Sequence, residues 1–157
     1  MAGAAFGQSW PERIVVEQTS LSRLKGARVL IVDDHRDSAD SLAMLFTAAG
    51  CAIRVAYDGN SALEQCAHFE PQIVVLDVLM PAPDGYEVAR QLRQRSESRP
   101  ILVALSGFSH HDSQQKRRLD EAGFDFYYLK PANIREMFAT LSWALVERNE
   151  TAGARVA

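Results

Sequence analysis

The sequence predicts an α/β fold, an open five-stranded parallel sheet with helices packed on both faces. Three observations carry the prediction. Val29–Val32, Ile73–Leu76 and Ile101–Leu105 are apolar at every position, the pattern of strands buried on both faces rather than one. Segments with apolar residues at helical spacing separate the strands, and strand–helix alternation closes into one parallel sheet through right-handed crossovers. The 157 residues are 47% hydrophobic, which suffices for one domain with a real core.

The elements follow in order. The first strand, Val29–Val32, ends in Asp33-Asp34. Asp37 is the expected N-cap of the next helix, whose Leu42, Leu45, Phe46 and Ala49 repeat at helical spacing, and Gly50 suits the position just past its end. Ala52–Ala56 is the second strand, closed by an Asp58-Gly59 turn. Ser61 and Glu64 have the spacing of a capping box for a second helix carrying Leu63, Cys66 and Ala67. The third strand, Ile73–Leu76, ends in Asp77. Pro81 and Pro83 stiffen the following loop, and Asp84 with Glu87 caps a third helix through Val88 and Leu92. Pro100 precedes the fourth strand, which ends in Ser106-Gly107.

A polar fourth helix over residues 112–122 has few apolar anchors, mainly Leu119 and Ala122, and stops at Gly123. Phe126–Leu129 is the fifth strand, ending in Lys130-Pro131. Asn133 with Glu136 caps the last helix, whose stripe is Ile134, Met137, Phe138, Leu141 and Leu145. The chain therefore divides into an N-terminal extension or linker (1–26), a domain (27–148) and a C-terminal tail (149–157). The extension opens with an Ala- and Gly-rich stretch, then Trp10-Pro11 and the short apolar run Ile14-Val15-Val16.

Composition excludes several classes. A net charge of −3 argues against a basic nucleic-acid binder. The clusters Lys116-Arg117-Arg118 and Arg90, Arg93, Arg95, Arg99 read as solvated helix faces. Cys51 and Cys66 form neither a disulfide framework nor a metal spacing, and are expected as buried free thiols in a reducing compartment. No run of 18 apolar residues is present, so no spanning helix is expected. The N-terminus lacks a signal-peptide pattern, and the expected location is the cytoplasm.

In an open parallel sheet, ligands bind beyond the carboxyl ends of the strands, where the strand order reverses. Here Asp33, Asp34, Asp77, Ser106 and Lys130 all stand at such ends. Three close carboxylates repel one another, so either a pKa rises or a cation binds. Mg²⁺ suits an oxygen-rich site that also receives a phosphate. A carboxylate can accept a phosphoryl group covalently, and a lysine and a hydroxyl can neutralise and orient its oxygens. Taken singly, each residue has a blander reading. The aspartates could be turn residues, Lys130 a surface lysine, Ser106 part of a Ser-Gly turn and Tyr127 plain core. His35, His110 and His111 lack metal-ligand spacing and read as surface residues.

The set Val32-Asp33-Asp34, Asp77-Val78-Leu79-Met80-Pro81, Asp84-Gly85, Ser106-Gly107 and Lys130-Pro131 resembles the receiver domains of two-component response regulators, over residues 27–148. The resemblance implies a flavodoxin-like (βα)₅ doubly wound fold. It implies Asp77 as phospho-acceptor, and Asp33, Asp34, Asp77 and the backbone carbonyl of Leu79 as Mg²⁺ ligands. Ser106 and Lys130 would hold the phosphoryl group, Ser106 and Tyr127 would act as switch residues, and the bond before Pro131 would be cis. Leu79 and Phe108 fall where the family's hydrolytic water passes. Both are apolar, and they are expected to prolong the acyl phosphate.

Only residues 131–157 follow Lys130, so a stand-alone receiver without an output domain is expected, signalling by protein contact or as a phosphorelay. It would not be an enzyme beyond its own phosphorylation and dephosphorylation. Its partners would be a sensor or hybrid histidine kinase or a histidine phosphotransfer protein. Nucleic acid and membrane are not expected as partners. A homodimer could form through the fourth helix, fifth strand and last helix. Kinase docking would use the helix after the first strand, around Arg36, Ser38, Ser41 and Thr47. Alternatives are a receiver fragment of a hybrid histidine kinase and a phosphorylation-independent interaction module. A haloacid-dehalogenase-type phosphatase needs an aspartate two residues after the nucleophile, where this chain has Leu79.

Overall fold

The computed structural model of the chain describes residues 18–95, 99–107 and 112–154. Five strands form one parallel sheet: β1 (Arg28–Val32), β2 (Ala52–Ala56), β3 (Ile73–Asp77), β4 (Ile101–Ser106) and β5 (Phe126–Leu129). Their order is β2-β1-β3-β4-β5. The order reverses between β1 and β3, which opens a crevice beyond their carboxyl ends. The helices among the described residues are α1 (Gln18–Leu24), α2 (Arg36–Ala48), α3 (Gly59–Phe69), α4 (Gly85–Arg95), α5 (Ser113–Ala122) and α6 (Ile134–Ala154).

Two apolar layers flank the sheet. On one face, α1, α2 and α6 bury Leu24, Phe46, Met137, Phe138 and Leu141 against Val29, Ile31, Val75 and Val103. Phe46 and Phe138 meet edge to face with ring centroids 4.9 Å apart. On the other face, Tyr86, Val88, Leu92 and Leu119 cover Leu30, Val74, Leu76 and Leu102. The central strands β3 and β4 are buried at every position, while the edge strand β2 alternates. Each large apolar side chain in these layers contributes about 1.5–3 kcal/mol.

Several local expectations are corrected. His35, not Asp37, caps α2: its Nδ1 accepts from the Ser38 N–H at 3.3 Å. Asp58, not the Ser61–Glu64 pair, caps α3 by accepting from the Ser61 N–H at 2.8 Å. A carboxylate just ahead of the helix reaches the free N–H groups of the first turn. Of the α2 stripe, Phe46 is buried but Leu45 is exposed, as is its neighbour Met44. Asp84 and Asn133 do cap α4 and α6, Asp112 caps α5 rather than opening it, and Gly123 ends α5 at φ +90°.

Within the N-terminal extension, residues 18–24 are helical, and Leu24 is fully buried in the core. The Cys51 thiol donates to the Leu24 carbonyl at 3.4 Å. The last helix runs past residue 148 to Ala154. Trp10-Pro11, the Ile14–Val16 run, Phe108, His110 and His111 lie outside the described residues.

Candidate functional site

The register of the sheet assembles the site. Val32 pairs with Leu76, and Asp77 pairs with Leu105. The loop after β1, the end of β3 and the end of β4 therefore finish at one level. Asp33 and Asp77 are nearly buried there, Ser106 is buried at the end of β4, and Asp34 is exposed. Asp33, Asp34 and Asp77 each offer a carboxylate oxygen, and the three oxygens lie within 4.8 Å of one another.

Lys130 closes the site from β5. Its Nζ donates to Asp33 Oδ2 at 2.9 Å and to Asp77 Oδ2 at 3.1 Å. The Lys130 N–H donates to the Ser106 carbonyl at 2.8 Å, which fixes the end of β5 beside β4. The Lys130–Pro131 bond is cis, as is Ala82–Pro83. Two backbone amides complete the frame: the His35 N–H donates to Asp33 Oδ1 at 2.9 Å, and the Leu79 N–H donates to Asp77 Oδ1 at 3.0 Å. Each bond turns one carboxylate oxygen toward the backbone and fixes its rotamer.

The electrostatics are unbalanced. Burial pushes the Asp77 carboxyl above its ordinary range, and nearby Asp33 adds to this, against hydrogen bonds from Leu79 and Lys130. Burial opposes the charge on Lys130, but its bonds to Asp33 and Asp77 outweigh that and raise its pKa. One ammonium serves two of three carboxylates. Asp34 has no ion pair or hydrogen bond among the described residues. A carboxylate-rich pocket with a surplus of negative charge fits a hard divalent cation.

Of the residues singled out from sequence, Asp33, Asp34, Asp77 and Lys130 come together directly, and Ser106 ends the strand beside Asp77. The Leu79 side chain faces solvent. Tyr127 is half-buried on β5 and packs against the layer that holds Tyr86. Burial pushes the Cys51 thiol up to about 11 and the Cys66 thiol up to about 12, so both are poor nucleophiles at neutral pH. Cys51 is buried and Cys66 half-buried.

Sequence reasoning missed the close approaches behind the site. A Cβ on Gly85 would run into the Asp77 carbonyl oxygen and Val78 Cα, so the start of α4 lies directly on the end of β3. The Asp84-Gly85 pair was visible as a motif, but its contact was not. The supposed solvated basic face also differs. Arg93 is inserted between α4 and the β4 and β5 ends, donating to Pro100 O, Gly123 O and Asp125 Oδ2.

Comparisons with known proteins agree on one family. The profile of the response regulator receiver domain matches residues 29–142. Response regulator MprA of Mycobacterium ulcerans is 40% identical over 124 residues, which cover 78% of this chain and 51% of that protein. The chain thus spans about half the length of the MprA relatives it matches. Among solved structures, the Francisella response regulator 1452 receiver domain superposes with a TM-score of 0.69 at 27% identity, covering 79% of this chain and 99% of that one. The receiver domain of the histidine kinase CKI1 from Arabidopsis thaliana, in complex with Mg²⁺ and BeF₃⁻, gives 0.68 at 24% identity, covering 82% and 95%. No helix among the described residues is long and apolar enough to cross a membrane.

Proposed function

The chain belongs to the response regulator receiver family, and on that premise we propose that it accepts a phosphoryl group on Asp77 from a phosphohistidine. The carrying observation is the convergence of three carboxylates and one lysine beyond β1, β3 and β5. In the reaction an Asp77 carboxylate oxygen bonds to phosphorus while the phosphorus–nitrogen bond of the donor breaks. The imidazole nitrogen keeps the bonding pair and takes a proton from solvent. Lys130 Nζ, 3.1 Å from Asp77 Oδ2, would neutralise a phosphoryl oxygen, and Ser106 would donate to another.

Asp33, Asp34, Asp77 and the Leu79 carbonyl would hold Mg²⁺, and the bound cation would supply charge neutralisation between the two anionic reactants. Phosphorylation would draw Ser106 toward the phosphoryl group and turn Tyr127 inward, moving the face of β4, α5 and β5. The proposed dimer surface is the adjoining face of α5, β5 and α6. Leu79, with Phe108, would hinder hydrolytic water and lengthen the life of the acyl phosphate. Fast dephosphorylation unchanged by polar residues at both positions would contradict this.

The proposed donor is a histidine kinase or phosphotransfer protein docking on α2. Arg36, Ser38, Ser41 and Thr47 are exposed there, and Met44 and Leu45 add an apolar centre that is 73% and 46% exposed. The reading includes a cytoplasmic location, output by protein contact, and no turnover of an external substrate. Incubation with Mg²⁺ and acetyl phosphate followed by intact mass tests it. One phosphoryl group should be gained, and none by Asp77→Asn or in EDTA. An unmodified wild-type chain that also fails to bind beryllofluoride would leave a phosphorylation-independent interaction module.

A further inference from the structure

α5 is weakly anchored beside the site. Only Leu119 and Ala122 of its ten residues are buried. Three further contacts converge on one side chain from α4. Tyr86 is 2% exposed. Its hydroxyl donates to Gln115 Oε1 at 2.9 Å, in the first turn of α5. Its ring lies 4.2 Å from the Arg118 guanidinium, in the middle of α5. Its edge meets Phe124, just past the end of α5, at 6.4 Å between centroids. One buried phenol therefore touches the beginning, middle and end of the helix.

The other side of Tyr86 leads to the acceptor. Its chain neighbour Gly85 has no room for a Cβ, because the Asp77 carbonyl oxygen and Val78 Cα occupy that space. The Gly85 N–H donates to the Val78 carbonyl at 3.3 Å. Less than a Cβ's space separates Gly85 from the Asp77 backbone, so a shift at Asp77 bears on Gly85. It is passed to the first turn of α4, and so to Tyr86.

We propose that Tyr86 is a positioning residue that latches α5 to the acceptor loop, and that the latch holds the arrangement in which Lys130 spans Asp33 and Asp77. This inference rests on the phospho-acceptor reading of Asp77. It runs through Gly85 and α4, separately from Ser106 and Tyr127. Coupling is reciprocal. If the latch holds α5 in the unphosphorylated arrangement, breaking it makes the phosphorylated arrangement easier to reach. The acceptor site then binds a phosphoryl mimic more tightly.

The test is calorimetric titration of the full chain with beryllofluoride in saturating Mg²⁺, for wild type, Tyr86→Phe, Gln115→Ala and the double variant. Hydrogen exchange of residues 113–122 is followed without the mimic. Tyr86→Phe keeps the ring and loses only the hydroxyl. Gln115→Ala changes a half-buried side chain on α5 and carries the test if the first variant folds poorly. Each single variant should bind beryllofluoride about threefold to tenfold more tightly, the range that one neutral hydrogen bond commands. The double variant should equal the singles, because both remove the same bond. Exchange in α5 should speed up in all three.

A gain in affinity is a readout that general damage to the fold would not produce. Equal or weaker binding by both single variants overturns the latch, as do effects that multiply in the double variant. A wild-type chain that binds no beryllofluoride overturns the phospho-acceptor reading itself. A wild-type chain that binds, beside variants of equal affinity, overturns the latch alone.

Discussion

The two ends of the sheet carry the same kind of chemistry with different accounts of charge. At the amino end of β4, Arg93 meets Asp125 at 2.6 Å and also donates to two backbone carbonyls. Asp125 Oδ2 accepts in addition from the Leu102 N–H at 2.8 Å. Cation and anion meet directly there, and Arg148 brings a second positive charge near Asp125. At the carboxyl end, one ammonium faces three carboxylates. The amino end is a clasp that fixes α4 against β4 and β5. The carboxyl end holds, among the described residues, a surplus of negative charge, and that surplus is what suits it to a cation and a phosphoryl group.

The largest difference between the two ends is expected at Asp77. Asp77→Asn should abolish the mass gain from acetyl phosphate completely, whereas Arg93→Met should leave it within about twofold. If both variants lose the reaction, the clasp is not merely structural. Next in size is stability. Arg93→Met should cost about 3 kcal/mol in urea unfolding, because the Pro100 and Gly123 carbonyls and Asp125 lose their donor together. Gly85→Ala should cost about 2 kcal/mol by overpacking against the Asp77 carbonyl. It should also slow phosphorylation, since it displaces the acceptor backbone.

Smaller effects sharpen the contrast. Mg²⁺ at ten times its Kd should stabilise the wild-type chain by about 1.4 kcal/mol. Asp34→Asn should lose most of that gain in a thermal melt, and Asp125→Asn none of it. The smallest effect is the pH dependence of Asp77. Its carboxyl is raised above the ordinary value of 3.8, burial being the largest cause. The folded chain therefore holds that proton more tightly than the unfolded chain. Ionised Asp77 weakens the fold at neutral pH, and the penalty fades as pH falls through the raised midpoint toward 3.8. Asp77→Asn should be more stable than wild type at pH 7, and the difference should vanish in acid. For Lys130 the sign reverses: its raised pKa gives stability that is present below 10.5 and lost as pH rises beyond it.

Much of the site was legible because it depends on strand ends. A run such as Ile73-Val74-Val75-Leu76 followed by Asp77 puts a carboxylate at the edge of a buried parallel sheet whatever surrounds it. The same logic marked Asp33, Asp34, Ser106 and Lys130. Caps were less legible. Asp37 has the right residue type for an N-cap, but His35 is where the backbone leaves the extended region, at φ −85° and ψ 103°. Leu45 matched the helical spacing, yet the stripe that meets β1 and α6 is centred on Phe46, leaving Leu45 and Met44 outside.

The alternation of elements, the parallel sheet and the residues at its carboxyl ends are written into the chain locally. These follow from short-range periodicity and from the desolvation cost that confines charge to strand ends. Which side chains meet across distant segments is set by the packing of the folded chain. Nothing local marks Arg93 as the partner of Asp125, Tyr86 as the partner of Gln115 and Arg118, or Leu24 as part of the core. Such contacts arise from how the crossovers stack helices on the sheet, where a pair 29 or 32 residues apart becomes adjacent through packing that no local pattern encodes.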